Sequence, residues 1–151
     1  MINIKKGIYN PINLKKYIGS KLPIFRSTWE LRAFISLDKN PNVLKWGSES
    51  FVIPYIDVTR NNETHKYIVD IFFEIANATK NGLPIKWLIE IKPFNQSTTP
   101  KITKRKTPEK LLAETIIVKR NHCKWEAAMN FCKARGWHFG VYTEKGITKL
   151  C

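Results

Sequence analysis

Apolar and polar positions change period several times along the chain, and each change marks an element. Residues 1–26 show no period. Lys and Asn alternate with isolated apolar residues, and Pro11, Gly19 and Pro23 discourage regular structure, which predicts an extended N-terminal arm. Helical spacing begins after Ser27, with Trp29, Ala33, Phe34 and Leu37 on one face. Ser27-Thr28-Trp29-Glu30 forms a capping box, Ser27 as N-cap and Glu30 at N3, and Asn40-Pro41 ends the helix.

Strand patterns follow. Val43 to Trp46 is short; Phe51 to Val58 is apolar but interrupted by Pro54, as at an edge or a bulge. Arg60 to Thr64 is a polar turn. His65 to Ile75 and Ile85 to Lys92 predict two long strands joined by Ala76 to Pro84, a connection containing Asn81-Gly82. In the second strand Trp87, Ile89 and Ile91 point one way, and Leu88, Glu90 and Lys92 the other. A hairpin centred near Lys80 sets Asp70 opposite Glu90. Residues 94–109 are polar and basic, and predict a loop. Ala113 to Val118 suggests a strand, and a second helix is expected from about His122 to Arg135, with Asn121 as N-cap and Gly136 as its left-handed C-terminal residue. Trp125, Ala128, Met129 and Cys132 form its apolar stripe, and Trp137, Phe139 and Val141 alternate as a last strand. The sum is an α/β chain: an arm over 1–26, then one domain over 27–151 with a basic loop at 94–109.

Charge sharpens this picture. The 151 residues carry a net charge of +14, unevenly placed: +6 over 1–50, zero over 51–100 and +8 over 101–151. Such an excess implies a polyanionic partner, most simply nucleic acid such as double-stranded DNA, bound in a salt-dependent way. No stretch is long and apolar enough to span a membrane, and the first residues lack an apolar signal core, so export is not expected. Three cysteines without a CxxC pair suit free thiols in a reducing compartment. His122, Cys123, Cys132 and His138 fit no standard zinc spacing.

The neutral middle holds the candidate chemistry. Asp70 interrupts the apolar run Tyr67-Ile68-Val69-Asp70-Ile71-Phe72-Phe73, where an unpartnered carboxylate would be costly. Asp70 and Glu90 can share a hard divalent cation, Mg²⁺ or Mn²⁺ in its place, with the Ile91 carbonyl as a further oxygen ligand. Lys92, on the Glu90 face, can orient a water or stabilise charge on a phosphorane. Glu30 can complete the metal shell, or do no more than close its capping box. Glu90 and Lys92 can equally be a surface ion pair of little energetic weight. Lys101, Lys104, Arg105 and Lys106 can follow a phosphate backbone or dock on a protein partner, with His65 and Lys124 as further phosphate contacts; a merely solvated loop, an incidental hairpin histidine and a solvated helix lysine are the competing accounts.

Helix, strands, a hairpin carrying Asp70 then Glu90-x-Lys92, and a second helix is the element order of the PD-(D/E)xK, restriction-endonuclease-like core: a mixed central sheet flanked by helices. Phe25 to Glu30, Asp38 to Val43, Trp46-Gly47-Ser48-Glu49, His65 to Asp70, Leu88 to Pro93 and Asn121 with Lys124 to Ala128 form an ordered series. This series resembles the head completion nucleases of T-even-type bacteriophages, and Asn10-Pro11 and Lys16 to Gly19 extend the likeness over almost the whole chain. The resemblance implies a Mg²⁺-dependent nuclease of the phage neck, acting on packaged DNA before head–tail joining. Its implied active centre is Asp70, Glu90 and Lys92, with Glu30 as auxiliary acid. It further implies portal or connector proteins as partners, no membrane, and location in the virion after assembly in the host cytoplasm. The family usually carries proline before the aspartate; here it is Val69. A structural neck protein without activity, or a transposon-end or junction-resolving endonuclease on the same core, are the competing classes.

If the basic loop contacts phosphates, neutralising Lys101, Lys104, Arg105 and Lys106 together flattens the log–log salt dependence of duplex binding by roughly 3.6. Titrations over a range of salt concentrations check this, and an unchanged slope assigns the loop elsewhere.

Overall fold

Ser27 starts the first helix as its capping pattern requires: its side chain accepts the Glu30 amide at 3.0 Å, and α1 runs from Thr28–Lys39. The structure, a computed structural model, describes residues 6–79 and 82–151. The expectations for the first residues of the chain and for the Lys80-Asn81 connection lie outside them.

Ahead of α1, the segment without periodicity holds two short paired strands, β1 (Gly7–Ile8) and β2 (Ile24–Phe25), and a 3₁₀ turn at Leu14–Lys16. One carboxylate ties this segment down. Asp38, fully buried near the end of α1, accepts the Tyr9 hydroxyl at 2.7 Å and the Ile12 and Asn13 amides at 2.7 and 3.0 Å. Burial pushes the Asp38 carboxyl up, but these donors and the Lys16 charge outweigh it and hold it below its ordinary value.

Five strands then appear between the helices: β3 (Val43–Ser48), β4 (Val52–Asp57), β5 (Glu63–Ile68), β6 (Ile71–Ile75) and β7 (Ile85–Ile91). The single strand expected over His65 to Ile75 is two. β5 pairs with β4 in a separate hairpin, whereas β6 lies between β3 and β7 in the main sheet, and the chain crosses from one to the other at Val69-Asp70. Pro54 is accommodated because the β4–β5 ribbon is only two-stranded.

The second helix is the larger correction. α2 spans Pro108–Arg135, with Thr107 as N-cap, and absorbs the strand expected over Ala113 to Val118. Thr107-Pro108 is its start signal, and the weak strand preference of the β-branched run Thr115 to Val118 is overridden by packing. Asn121 is therefore no cap. It is a buried mid-helix amide donating to the Gln96 carbonyl at 3.0 Å. Gly136 ends the helix in the left-handed conformation, φ 70°. β8 (His138–Thr143) follows, and β9 (Gly146–Lys149), which the sequence pattern did not mark, turns back on it.

The main sheet runs β3-β6-β7-β8-β9, antiparallel except for β7 and β8, which are parallel. A parallel pair needs a long crossover, and α2 supplies it. On one face Leu88, Phe139 and Val141 pack against Trp125, Ala128 and Cys132 of α2, with Tyr55 and Tyr67 from the hairpin. On the other, Ile71, Ile89, Val43 and Trp46 meet Phe34 of α1.

Replacing Asp38 by Asn is expected to cost about 2–4 kcal/mol at pH 7, since three donors lose a charged acceptor. Denaturant titration checks the cost, which shrinks as pH falls below about 4, where the depressed native carboxyl also protonates. Trypsin should then cut at Lys15, Lys16 and Lys21.

Candidate active site

Ile71 pairs with Ile89 and Ile75 with Ile85; one further step of that register sets Asp70 opposite Glu90. β6 has not yet begun at Asp70, so the side chain takes over from the backbone: Asp70 Oδ2 accepts the Ile91 amide at 2.8 Å. Its main chain is fixed as well, the carbonyl accepting the Glu49 amide at 3.0 Å. Glu49 makes that contact from a left-handed backbone, φ 54°. Val69 is buried and donates its amide to the Phe51 carbonyl at 3.1 Å, a bond that proline at this position would forfeit.

Glu90 is only 3% exposed. Its Oε2 accepts the Tyr67 hydroxyl at 2.7 Å, and its Oε1 lies 3.3 Å from Lys92 Nζ. Burial, and then the neighbouring Glu90, push the Asp70 carboxyl up to about 8, against the opposing Ile91 amide and Lys92 charge; Glu30 adds to the rise. Burial and Glu90 likewise hold the Tyr67 phenol well above its ordinary value, so it stays a donor. A residue's N–H and C=O project to the same side of an extended strand, so the Ile91 carbonyl faces the Asp70 side. Two carboxylates and a carbonyl form an all-oxygen donor set that suits a hard divalent cation, and like charges held together in a half-dry site give such a cation a reason to bind. Among the described residues, no three His, Cys, Asp or Glu side chains gather as a metal-binding group. Water would have to complete the shell.

Glu30 closes its box, but one residue further back than the pattern implied: its Oε2 accepts the Arg26 amide at 2.7 Å. Its charge still acts on Asp70. Lys124, on α2, sits with its ammonium 5.7 Å from the Tyr67 ring centre and 5.9 Å from that of Tyr55. Burial and then Lys92 depress its pKa, while Glu90 opposes the shift. His65 lies between Arg60, at 3.4 Å, and Glu63, at 3.1 Å. In the basic loop Lys106 pairs with Glu114 at 2.7 Å, leaving Lys101, Lys104 and Arg105 exposed. The loop's expected share of the salt slope falls accordingly, to roughly 2.7. His122 faces the Ser97 carbonyl, Cys132 is in the core and His138 meets the Cys151 carbonyl. Tyr67 was missed as a site residue. Its hydroxyl in an apolar strand was the available signal, since a buried phenol needs a partner.

A mixed sheet between two helices that presents an aspartate across one ladder step from Glu-x-Lys defines a restriction-endonuclease-like nuclease core. Residues 40–144 match the family described as TnsA-like endonuclease N terminal, and the chain belongs to it. Over 148 residues the chain is 32% identical to the head completion nuclease of Enterobacteria phage T4, covering 95% of this chain and 94% of that protein.

Because the native Asp70 carboxyl is raised, metal-free folded protein binds a proton that the unfolded chain releases near pH 4, and it loses stability as pH rises from about 4 towards 8. Asp70→Asn should therefore be more stable than wild type in chelator at pH 9, by about 1–3 kcal/mol, with no gain at pH 4. Paired melts across pH check the sign.

Proposed function

We propose that the protein is a Mg²⁺-dependent DNA endonuclease that acts in phage head completion. The reading rests above all on Asp70 and Glu90 facing each other in a site that raises the Asp70 carboxyl, with Lys92 held on Glu90. Asp70, Glu90 and the Ile91 carbonyl would hold Mg²⁺ or Mn²⁺; when bound, the cation supplies polarisation of the scissile phosphate and a water acidified towards neutral pH.

The chain's own groups do the rest. Lys92, anchored 3.3 Å from Glu90 Oε1, orients the attacking water and offers positive charge to the phosphorane oxygens. The Tyr67 hydroxyl fixes Glu90, and the Ile91 amide fixes Asp70, so both carboxylates are oriented before substrate arrives. Lys124, a less hydrated cation on the same side, contacts a phosphate next to the reacting one. Glu30 acts from the start of α1 through a water, while remaining a helix cap. Similarity to the head completion nuclease of phage T4 motivates the biological setting: trimming packaged DNA at the neck of a filled head, against portal or connector proteins, before the tail joins. A structural neck protein without activity would have no need of this carboxylate pair, and the transposon-end alternative leaves the similarity outside residues 40–144 without a role.

Duplex DNA with Mg²⁺ is expected to be cut by wild type. Asp70→Ala and Lys92→Ala should each lose on the order of 10²–10³-fold in rate, and chelator should abolish cutting. Glu30→Gln keeps the cap and removes the charge, so a slow but stable variant assigns Glu30 to the chemistry. No cutting by wild type, or undiminished cutting by both single variants, sinks the proposal.

A further inference from the structure

The β4–β5 hairpin is joined to α2 through a buried acid that does more than close the fold. Asp57 is wholly buried at the end of β4, and its Oδ1 accepts the Thr59 amide at 2.9 Å and the Thr59 hydroxyl. Oδ2 lies 2.9 Å from Arg120 Nε and 3.3 Å from Arg60 Nε, yet receives no aligned hydrogen bond, because Arg120 directs its guanidinium at Thr59 Oγ1 instead. One carboxylate thus holds two guanidinium groups without exhausting their donors. Both reach solvent, the Arg60 side chain 43% exposed and that of Arg120 27%.

These cations run towards the carboxylate pair. Arg120 and Lys124 lie one turn apart on one face of α2. Lys124 stands over Tyr55, on the same hairpin face as Asp57, and over Tyr67, whose hydroxyl holds Glu90. Lys92 pairs with the other oxygen of Glu90, Oε1. Among the described residues these four cations meet three carboxylates, Asp57, Asp70 and Glu90, with the Lys92 charge acting on both members of the pair; Glu63, the next acid along the hairpin, is engaged with His65. His65 itself abuts Arg60 and helps to set its guanidinium.

We infer that Arg60, Arg120 and Lys124 form a phosphate track, preset by Asp57, that leads the backbone of a DNA duplex into the Asp70–Glu90 site. The inference deepens the nuclease reading and rests on it. A phosphate backbone is the ligand that two forked guanidinium groups converging on one carboxylate and, one helix turn further along, a half-buried ammonium recognise best.

The test uses the full chain in chelator and a fluorescein-labelled 25-base-pair duplex of random sequence, with Kd measured by anisotropy over a range of salt concentrations. Arg60→Gln should lower the log–log salt slope by about 0.9, as should Arg120→Gln, and Arg60→Lys should restore it. Arg60→Gln is the safer variant, since Asp57 keeps Arg120 and Thr59, and its melting temperature is followed alongside. A lower melting temperature with the wild-type slope overturns the track and leaves Arg60 a fold clamp, with the nuclease reading untouched. Absence of salt-dependent duplex binding by wild type overturns the track and the DNA reading together.

Discussion

Everything in this molecule turns on the place where the backbone leaves one sheet and enters another. At Val69-Asp70 the chain departs the β4–β5 hairpin and joins the main sheet beside β7. The β6 ladder starts one residue too late to satisfy the Ile91 amide, and the Asp70 carboxylate takes that role. A buried donor left without a partner is expensive, so the same bond that completes the ladder also pins a carboxylate beside Glu90. Structural economy and candidate chemistry share one hydrogen bond.

That placement concentrates negative charge where water is scarce, and the surroundings temper it without cancelling it. Tyr67 donates to Glu90, Lys92 pairs with it, and Lys124 lends field from α2. None of these donates to Asp70, whose carboxyl stays raised. A fully neutralised pair would have little appetite for a cation; a pair with one tempered and one strained member retains it. The aromatic rings of Tyr55 and Tyr67 give Lys124 an apolar seat, so its charge is less hydrated and more available to a phosphate.

α2 carries much of the organisation. As the crossover between parallel β7 and β8 it must lie across the sheet, and its 28 residues do three things along that path. Asn121 at its middle holds the turn after Lys92, Arg120 and Lys124 beside it are presented towards the hairpin, and Trp125, Ala128 and Cys132 are buried in the core. The hairpin, bound to it through Asp57, stays in register with the site.

The chain's local chemistry determined a good deal by itself. The capping box at Ser27, the positive-φ Gly136, the alternation along β7 and a hairpin symmetric about position 80 are consequences of near neighbours, and they were enough to set Asp70 against Glu90 and Lys92 beside it. The tertiary structure decided the rest, wherever a residue's partner is remote in sequence. Periodicity sees only which face is apolar, so it could not show that one apolar run serves two sheets, or that Thr115 to Val118 is helical because the crossover is packed on both ends. Nor could it show a periodless arm held by one distant carboxylate, Asp38. Tyr67 on Glu90, and Arg60 with Arg120 on Asp57, are likewise contacts between elements. Their energies depend on burial, which exists only once the sheet, the hairpin and α2 have come together.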